Sequence, residues 1–330
     1  MKCTVMGAGA WGTALASLLS ENGHQVTLWA FEPDVSESVN ASHENRRFLA
    51  GVPLHPQLQA TSNAEQACTE AEFVLFAPPS HVLRDVAVQS ARWVPAAATI
   101  AVATKGIERE RLALMTDVVA QEIPGRSIVA LSGPSFALEV AHHLPTAVVA
   151  ASTVPAAALL TQQLLSTSAF RVYTQRDVIG VELGGALKNV MAVATGIADG
   201  LQLGFNARAA LITRGLVEMT RLGVKLGADP ATFAGLAGIG DLVLTCTGSL
   251  SRNRSVGLEI GRGATLTEVL HGRETVAEGV VTTESAKALA EREGVDMPIV
   301  RAVHRVLFEK QPARWALVEL MTRDLKGEHE

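Results

Sequence analysis

An apolar run, Cys3 to Met6, leads straight into Gly7-Ala8-Gly9-Ala10-Trp11-Gly12, and an alternating segment, Gln25 to Trp29, follows. This order constrains the fold more than the glycine spacing does. It predicts a first strand, a tight turn, a helix from Ala10 to about Glu21 and a second strand. Gly7 permits the turn, Gly9 keeps a side chain out of the path of a diphosphate, and Gly12 lets the helix pack close to the strand. The N–H groups at the helix start then face the diphosphate, with the helix dipole behind them. The segment reads as the opening of a dinucleotide-binding domain, against the blander alternative of a plain glycine turn.

The first half of the chain continues the alternation. Strand candidates are Thr4–Met6, Gln25–Trp29, Phe73–Phe76, Thr99–Ala103, Ser127–Leu131, Thr146–Ala150 and about Phe170–Tyr173, with helical patterns such as His81–Ser90 and Arg111–Gln121 between them. The pattern predicts an α/β fold, a parallel doubly wound sheet of Rossmann type. The strands are near-continuous apolar runs, as expected where both faces are covered. From Asp177 onward the strand signal fades. Ile179–Ala198, Ala207–Leu226 and Val281–Glu293 are long and helix-compatible, and Glu218 with Arg221 at i,i+3 suits a solvated helix face. Two domains are expected: a dinucleotide-binding domain over 1–176 and an all-helical substrate domain over 177–330.

Composition narrows the function classes. Hydrophobic residues make up 48% and charged residues 18%, which suits a globular chain. A net charge of −5 argues against a general nucleic-acid binder. Cys3, Cys68 and Cys246 are far apart and odd in number, so neither a disulfide framework nor a metal site follows, and a reducing cytoplasm fits. The nine histidines form no ligand-spaced cluster. The apolar region 141–165 is broken by Pro145 and Pro155, and glycines interrupt the N-terminal apolar stretch, so neither a membrane span nor a signal peptide is expected.

Doubly wound folds place ligands beyond the carboxyl ends of their strands. Three such loops here are Pro78-Pro79-Ser80-His81, Thr104-Lys105-Gly106 and Ser132-Gly133-Pro134-Ser135-Phe136-Ala137. Lys105 is placed to reach a ligand's phosphate or carbonyl, though most lysines are only solvated. Lys188 lies in a helix-compatible segment with Gly185 and Ala192 on its face. A lysine among small residues points into a cleft, where desolvation lowers its pKa toward acid/base use; a snorkelling lysine or an ion pair with Glu182 is equally compatible with the residues alone. Ser251 is a suitable N-cap, which puts Arg252 and Asn253 in a first helical turn, a phosphate site or an ordinary capped helix.

Across nearly the whole chain the segments GAGAWGTALA, PPSHV, ATKGIE, SGPSFALEVA, GVELGGALKNVMAVATGIADGL, NARAALITRGLVEM, LGADPATFAGLAGIGDLVLTCTGSLSRNR and VAEGVVTTESAKALA resemble the soluble bacterial NAD(P)-dependent sn-glycerol-3-phosphate dehydrogenases. The resemblance implies reversible reduction of dihydroxyacetone phosphate to sn-glycerol 3-phosphate, the phospholipid backbone, with NAD(H) or NADP(H), no metal, and usually a homodimer. It implies that Lys188 is the acid/base and that Lys105 contacts both substrate and cofactor. Gly133, Ser135, Asp241, Ser251, Arg252 and Asn253 would surround the substrate, with Thr245 a further lining residue. Ala10 and Trp11, in the glycine turn, Ala137, Arg252, Val276 and Glu278 would reach the dinucleotide.

One departure from the family pattern follows the second strand, where the family often carries a basic residue or histidine. This chain has Phe31 and Glu32. Phe31 cannot pair with a 2′-phosphate, and Glu32, about 20 residues past Gly12, suits ribose hydroxyls. NAD(H) use at least equal to NADP(H) is expected, with Arg46 and Arg47 as the alternative source of positive charge. Rival readings are another two-domain dehydrogenase of the 6-phosphogluconate-like plan, against which LTCTGSLSRNR argues, and a noncatalytic NAD(P)-binding redox sensor.

Overall fold

The computed structural model describes residues 1–272, 277–325 and 327. Eight strands form one sheet in the order β3-β2-β1-β4-β5-β6-β7-β8. They are β1 (Lys2–Met6), β2 (Gln25–Trp29), β3 (Gln59–Thr61), β4 (Phe73–Phe76), β5 (Thr99–Val102), β6 (Ile128–Ser132), β7 (Thr146–Ala151) and β8 (Phe170–Gln175). The strand pattern explains the burial of both faces. In β4, Phe73 and Leu75 enter one core with the Ala10–Glu21 and Pro155–Leu165 helices. Val74 and Phe76 enter the other, with the Leu83–Ser90 and Met115–Glu122 helices. Side chains alternate along a strand, so a run with no polar gap is what a doubly covered strand requires.

Two features of the sheet depart from the sequence expectation. β3 is a short edge strand of Gln, Ala and Thr, held by a two-way bond in which Asn40 Nδ2 donates to the Ala60 carbonyl and Asn40 Oδ1 accepts from its N–H, both at 2.8 Å. It has no apolar run to announce it. The sheet is also not wholly parallel: β7 runs antiparallel to β6, with Leu131 opposite Ala150. Between them lies only the Ala137–Ala141 helix. This link, residues 133–145, does not cross back over the sheet. The Pro155–Leu165 helix does, and β8 is parallel to β7.

After β8, Asp177 caps the Val178–Gly200 helix by accepting from Gly180 N at 2.9 Å. This central helix is buried along most of its length among the helices Gly204–Lys225, Asp241–Thr247, Arg252–Gly261, Glu278–Glu293 and Pro298–Phe308. By length and composition it and the segment Pro230–Thr247 are each apolar enough to cross a membrane, but 89% of the central helix's most apolar window is covered by protein. Its crossing with Arg252–Gly261 is backbone against backbone. A Cβ on Gly196 would lie 2.1 Å from the Arg254 carbonyl oxygen, and one on Gly257 the same distance from that of Val193.

Glu218 does not lie on the solvated face expected of it. It is buried, and its carboxylate accepts from the first-turn amides Ile299 N (2.7 Å) and Val300 N (3.3 Å), while Arg221 donates to the Asp296 carbonyl oxygen. The free N–H groups of a helix start give the buried carboxyl group partners that offset part of the cost of removing it from water. The Arg111–Gln121 expectation is also shortened. The helix begins at Met115, and before it Ile107 and Leu114 pair as an antiparallel bridge.

Candidate active site

The glycine turn has the geometry that its residues require. Gly7 has φ +114°, and a Cβ there would lie 2.8 Å from Pro78 N in the loop after β4. A Cβ on Gly12 would lie 1.9 Å from the Gly7 carbonyl oxygen. At Gly9, by contrast, a Cβ would project into open space at the N-terminus of the Ala10–Glu21 helix. The turn thus offers an unobstructed backbone surface at the positive end of a helix with no acidic residue in its first turn. These residues fit a dinucleotide diphosphate. Ala10, Trp11 and Ala137 each pack against the edge of the adjoining core, and the Trp11 indole Nε1 is buried with no protein partner.

At the carboxyl ends of β5 and β6 the fully buried Asp241 carboxylate joins two lysines from different domains. Lys188 Nζ, on the central helix, donates to Oδ1. Lys105 Nζ, on the loop after β5, donates to Oδ2 at 2.7 Å and to the Gly133 carbonyl oxygen at 2.9 Å. Thr245 Oγ1 accepts from Lys188 Nζ at 2.9 Å and itself donates to the Asp241 carbonyl oxygen at 2.7 Å. Ser135 Oγ donates to the Gly133 carbonyl oxygen at 3.0 Å. Burial pushes the Lys188 ammonium down to about 7 against the pull of Asp241, and neighbouring Lys105 adds to the drop. Burial opposes ionisation of Asp241 too, but Lys105 and Lys188 outweigh it and hold the carboxyl below its ordinary value. Glu182 is not the partner of Lys188. Six residues along a helix is 600°, which puts the two side chains on different faces.

Gly185 makes the cluster possible: a Cβ there would lie 2.5 Å from Ser132 Oγ and 3.4 Å from Lys105 Cγ. Ser251 caps the Arg252–Gly261 helix, its Oγ accepting from Arg254 N at 3.2 Å. The first-turn N–H groups of Arg252 and Asn253 therefore lie at the open end of that helix, and Arg252 is exposed beside them. The Asn253 side chain is engaged in the fold. Its Nδ2 donates to Asn189 Oδ1 at 2.9 Å, and its Oδ1 accepts from Gly279 N at 2.8 Å. Asn189 carries no sequence signal of its own: one residue past Lys188 it is turned about 100° around the helix, and only its bond with Asn253 brings it to the site.

The remaining candidates fall into three places. Glu278 accepts from both the N–H (3.0 Å) and the hydroxyl of Ser80, bridging the helical domain to the loop after β4; burial raises its pKa. Phe31 and Glu32 stand apart, past the end of β2, with Phe31 76% exposed and its ring edge-on to Trp29. Near them Arg46 pairs with Glu44 and Arg47 with Asp34. Val276 lies outside the described residues. Among those residues no group of His, Cys, Asp or Glu has the arrangement of a metal site.

A diphosphate turn after β1 and a buried amine of lowered pKa tied through Asp241 to the loop after β5 suit hydride transfer from a bound nucleotide, so the class is that of two-domain dehydrogenases. Residues 2–158 match the family described as NAD-dependent glycerol-3-phosphate dehydrogenase N-terminus, and residues 177–318 match its C-terminus. A relative from Geobacter sp. (strain M21), named glycerol-3-phosphate dehydrogenase, NAD(P)+, is 54% identical over 99% of this chain and 98% of its own. One of the same name from Geobacter sulfurreducens is 55% identical over 98% of each. The crystal structure of glycerol-3-phosphate dehydrogenase from Coxiella burnetii superposes with a TM-score of 0.94 at 41% identity, covering 98% of this chain and 99% of that one. The chain belongs to the NAD-dependent glycerol-3-phosphate dehydrogenase family.

Proposed function

We propose that this chain catalyses the reversible NAD(P)H-dependent reduction of dihydroxyacetone phosphate to sn-glycerol 3-phosphate, with residues 1–176 as the nucleotide domain and 177–330 as the substrate domain. The observation that carries the proposal is the Asp241 carboxylate held between Lys188 and Lys105 across the domain boundary. When bound, the nicotinamide supplies or takes up the hydride at the central carbon. Lys188 as ammonium gives a proton to the developing alkoxide oxygen in reduction, and as neutral amine takes it back in oxidation. A pKa near 7 keeps both forms accessible. Lys105 polarises the carbonyl, while Asp241 and Thr245 orient the Lys188 amine.

The phosphate is assigned to the Ser251–Asn253 helix start: to the Arg252 guanidinium and to the backbone N–H groups, Asn253 contributing its own because its side chain is occupied by Asn189 and Gly279. Gly133 and Ser135 line the substrate. Gly7, Gly9, Ala10, Trp11 and Gly12 hold the diphosphate. Phe31 and Glu32 face the adenosine end. Ala137, Arg252, Val276 and Glu278 approach the dinucleotide. The family resemblance supports a homodimer and a role in glycerophospholipid synthesis. Three free, buried cysteines suit a cytoplasmic setting, and the net charge of −5 speaks against a nucleic-acid partner.

The test is absorbance near 340 nm on mixing the protein with NADH and dihydroxyacetone phosphate. Oxidation of NADH is expected with dihydroxyacetone phosphate, with far less for unphosphorylated dihydroxyacetone. No oxidation with either would favour a binding protein. Equal rates would remove the phosphate assignment. Turnover of NAD(P)+ with 6-phosphogluconate instead would move the chain to the rival dehydrogenase plan.

A further inference from the structure

Lys105 belongs by sequence to the nucleotide domain, but the segment it opens packs with the other one. Ile107 and Leu114 are buried in the hydrophobic core of the helical domain. They face each other as an antiparallel bridge, and Glu108 N donates to the Ala113 carbonyl oxygen at 2.9 Å. Residues 105–116 therefore form a closed arm reaching out from the end of β5. Lys105, at one end, bonds Asp241. Thr116, at the other, is gripped by Glu182: its N–H donates to Oε1 at 2.8 Å and its hydroxyl to Oε2. At the tip Leu112 has φ +55°, a left-handed conformation costly for leucine that the surrounding packing holds in place.

Glu182 sits on the same helix as Lys188, so the arm is tied to that helix at both ends, once through Asp241 and once directly. We propose that Glu182 is a positioning residue for Lys105, registering the arm against the Lys188 helix so that the Lys105 ammonium stays on Asp241. The inference rests on the reading above that Lys105 acts on the substrate. Packing of Ile107 and Leu114 is non-directional, and the bidentate Arg84–Glu108 pair ties the arm to the Leu83–Ser90 helix of its own domain, so neither sets its register against the Lys188 helix. A carboxylate that takes one N–H and one hydroxyl from a single residue fixes both position and direction. The exposed Arg109–Glu284 pair, also on the arm, offers little in its place.

A double-mutant cycle tests this. kcat/KM for dihydroxyacetone phosphate with NADH is measured for Glu182→Ala, Lys105→Ala and the pair. Glu182→Ala is expected to lower it on the order of 10- to 100-fold, the size of effect that a displacement of about 1 Å can produce from a distance. In the Lys105→Ala background the same change should do almost nothing further, because the group it positions is gone. The NADH dissociation constant should not move, and Glu182→Gln, which keeps an acceptor for the Thr116 amide and offers its NH2 as a donor to the Thr116 hydroxyl oxygen in a reversed bond, should restore most of the rate. Equal fold-losses in both backgrounds, or a normal rate for Glu182→Ala, would overturn the proposal. If Glu182→Ala does not fold, Thr116→Val removes only the hydroxyl and enters the same cycle, with a smaller loss and the same non-additivity expected. A normal rate for Lys105→Ala alone is a different failure: it removes Lys105 from the mechanism, and the premise with it.

Discussion

Gly185 and Lys105 meet across the domain boundary: the glycine on the Lys188 helix leaves the space along which the lysine stem passes, with Ser132 Oγ beside it. The closeness predicts a graded series. Gly185→Ala asks only the Ser132 hydroxyl to rotate, and a gain of about 1 kcal/mol in helix propensity offsets part of the cost. Its kcat/KM should stay within about threefold of wild type, since a methyl at ordinary contact distance displaces Lys105 little. Gly185→Leu fills the path of the stem and should lower kcat/KM on the order of 100-fold while NADH binding persists. Steady-state rates beside NADH titrations decide it; an active Leu variant would mean that Lys105 works from elsewhere.

Lys188 predicts opposite pH dependences for the two directions. Its pKa is pushed down to about 7, so the ammonium needed for reduction is lost as pH rises through that value, and the amine needed for oxidation appears there. kcat for ketone reduction should fall above about pH 7, and kcat for oxidation should rise. Lys188→Ala should lower turnover on the order of 10²- to 10⁴-fold and abolish both limbs. Profiles that keep these limbs in the variant would assign them to another group.

Past β2, exposed Phe31 and the carboxylate of Glu32 leave no cation aimed at a 2′-phosphate, and Arg46 and Arg47 are each beside a carboxylate. NAD(H) should therefore serve at least as well as NADP(H). Phe31→Arg with Glu32→Ser should shift the ratio of kcat/KM values toward NADP(H), by about tenfold for one charge-assisted contact. A strong wild-type preference for NADPH would show that one of the two arginines turns inward on binding.

Glu218 predicts a stability trend. Burial outweighs its two helix-start amides and raises its pKa from 4.5 to about 7. Between these values the native state holds more protons than the unfolded chain, so its contribution to stability falls as pH rises through the window and levels off above it. The size is about 3 kcal/mol. Glu218→Gln lacks this titration and should gain that amount relative to wild type between about pH 5 and pH 8, read from urea midpoints. A constant difference would mean that the amides hold the carboxylate ionised.

Much of this architecture is legible in the residues because the nucleotide domain obeys local rules. The apolar runs, the glycine turn and the Ser251 cap each act within a few residues of themselves, and the Ala10–Glu21 helix and the Ser251 cap stand where they were expected. What escaped depends on distant partners. β3 has an edge position and Asn40 in place of an apolar run, the direction of β7 is set by its pairing with β6, and Glu218 reads as a surface residue until the Pro298–Phe308 helix points at it. The site divides the same way. Lysines beside glycines can be picked out, but that Asp241 joins the two lysines is a matter of tertiary structure.

The glycine-lined crossing of the central helix with Arg252–Gly261 makes the site a caliper with a welded joint. One jaw carries Lys188, the other Arg252, and at the joint peptide backbone rests on peptide backbone, with no rotamer available to adjust the gap. On the proposed reading, the span from carbonyl to phosphate in the substrate is gauged by covalent geometry. A longer phosphorylated ketone would have to be accommodated by moving a whole helix, so selection for new substrates by trimming pocket side chains should stall here, and swapping the small residues of the crossing is where such selection should begin.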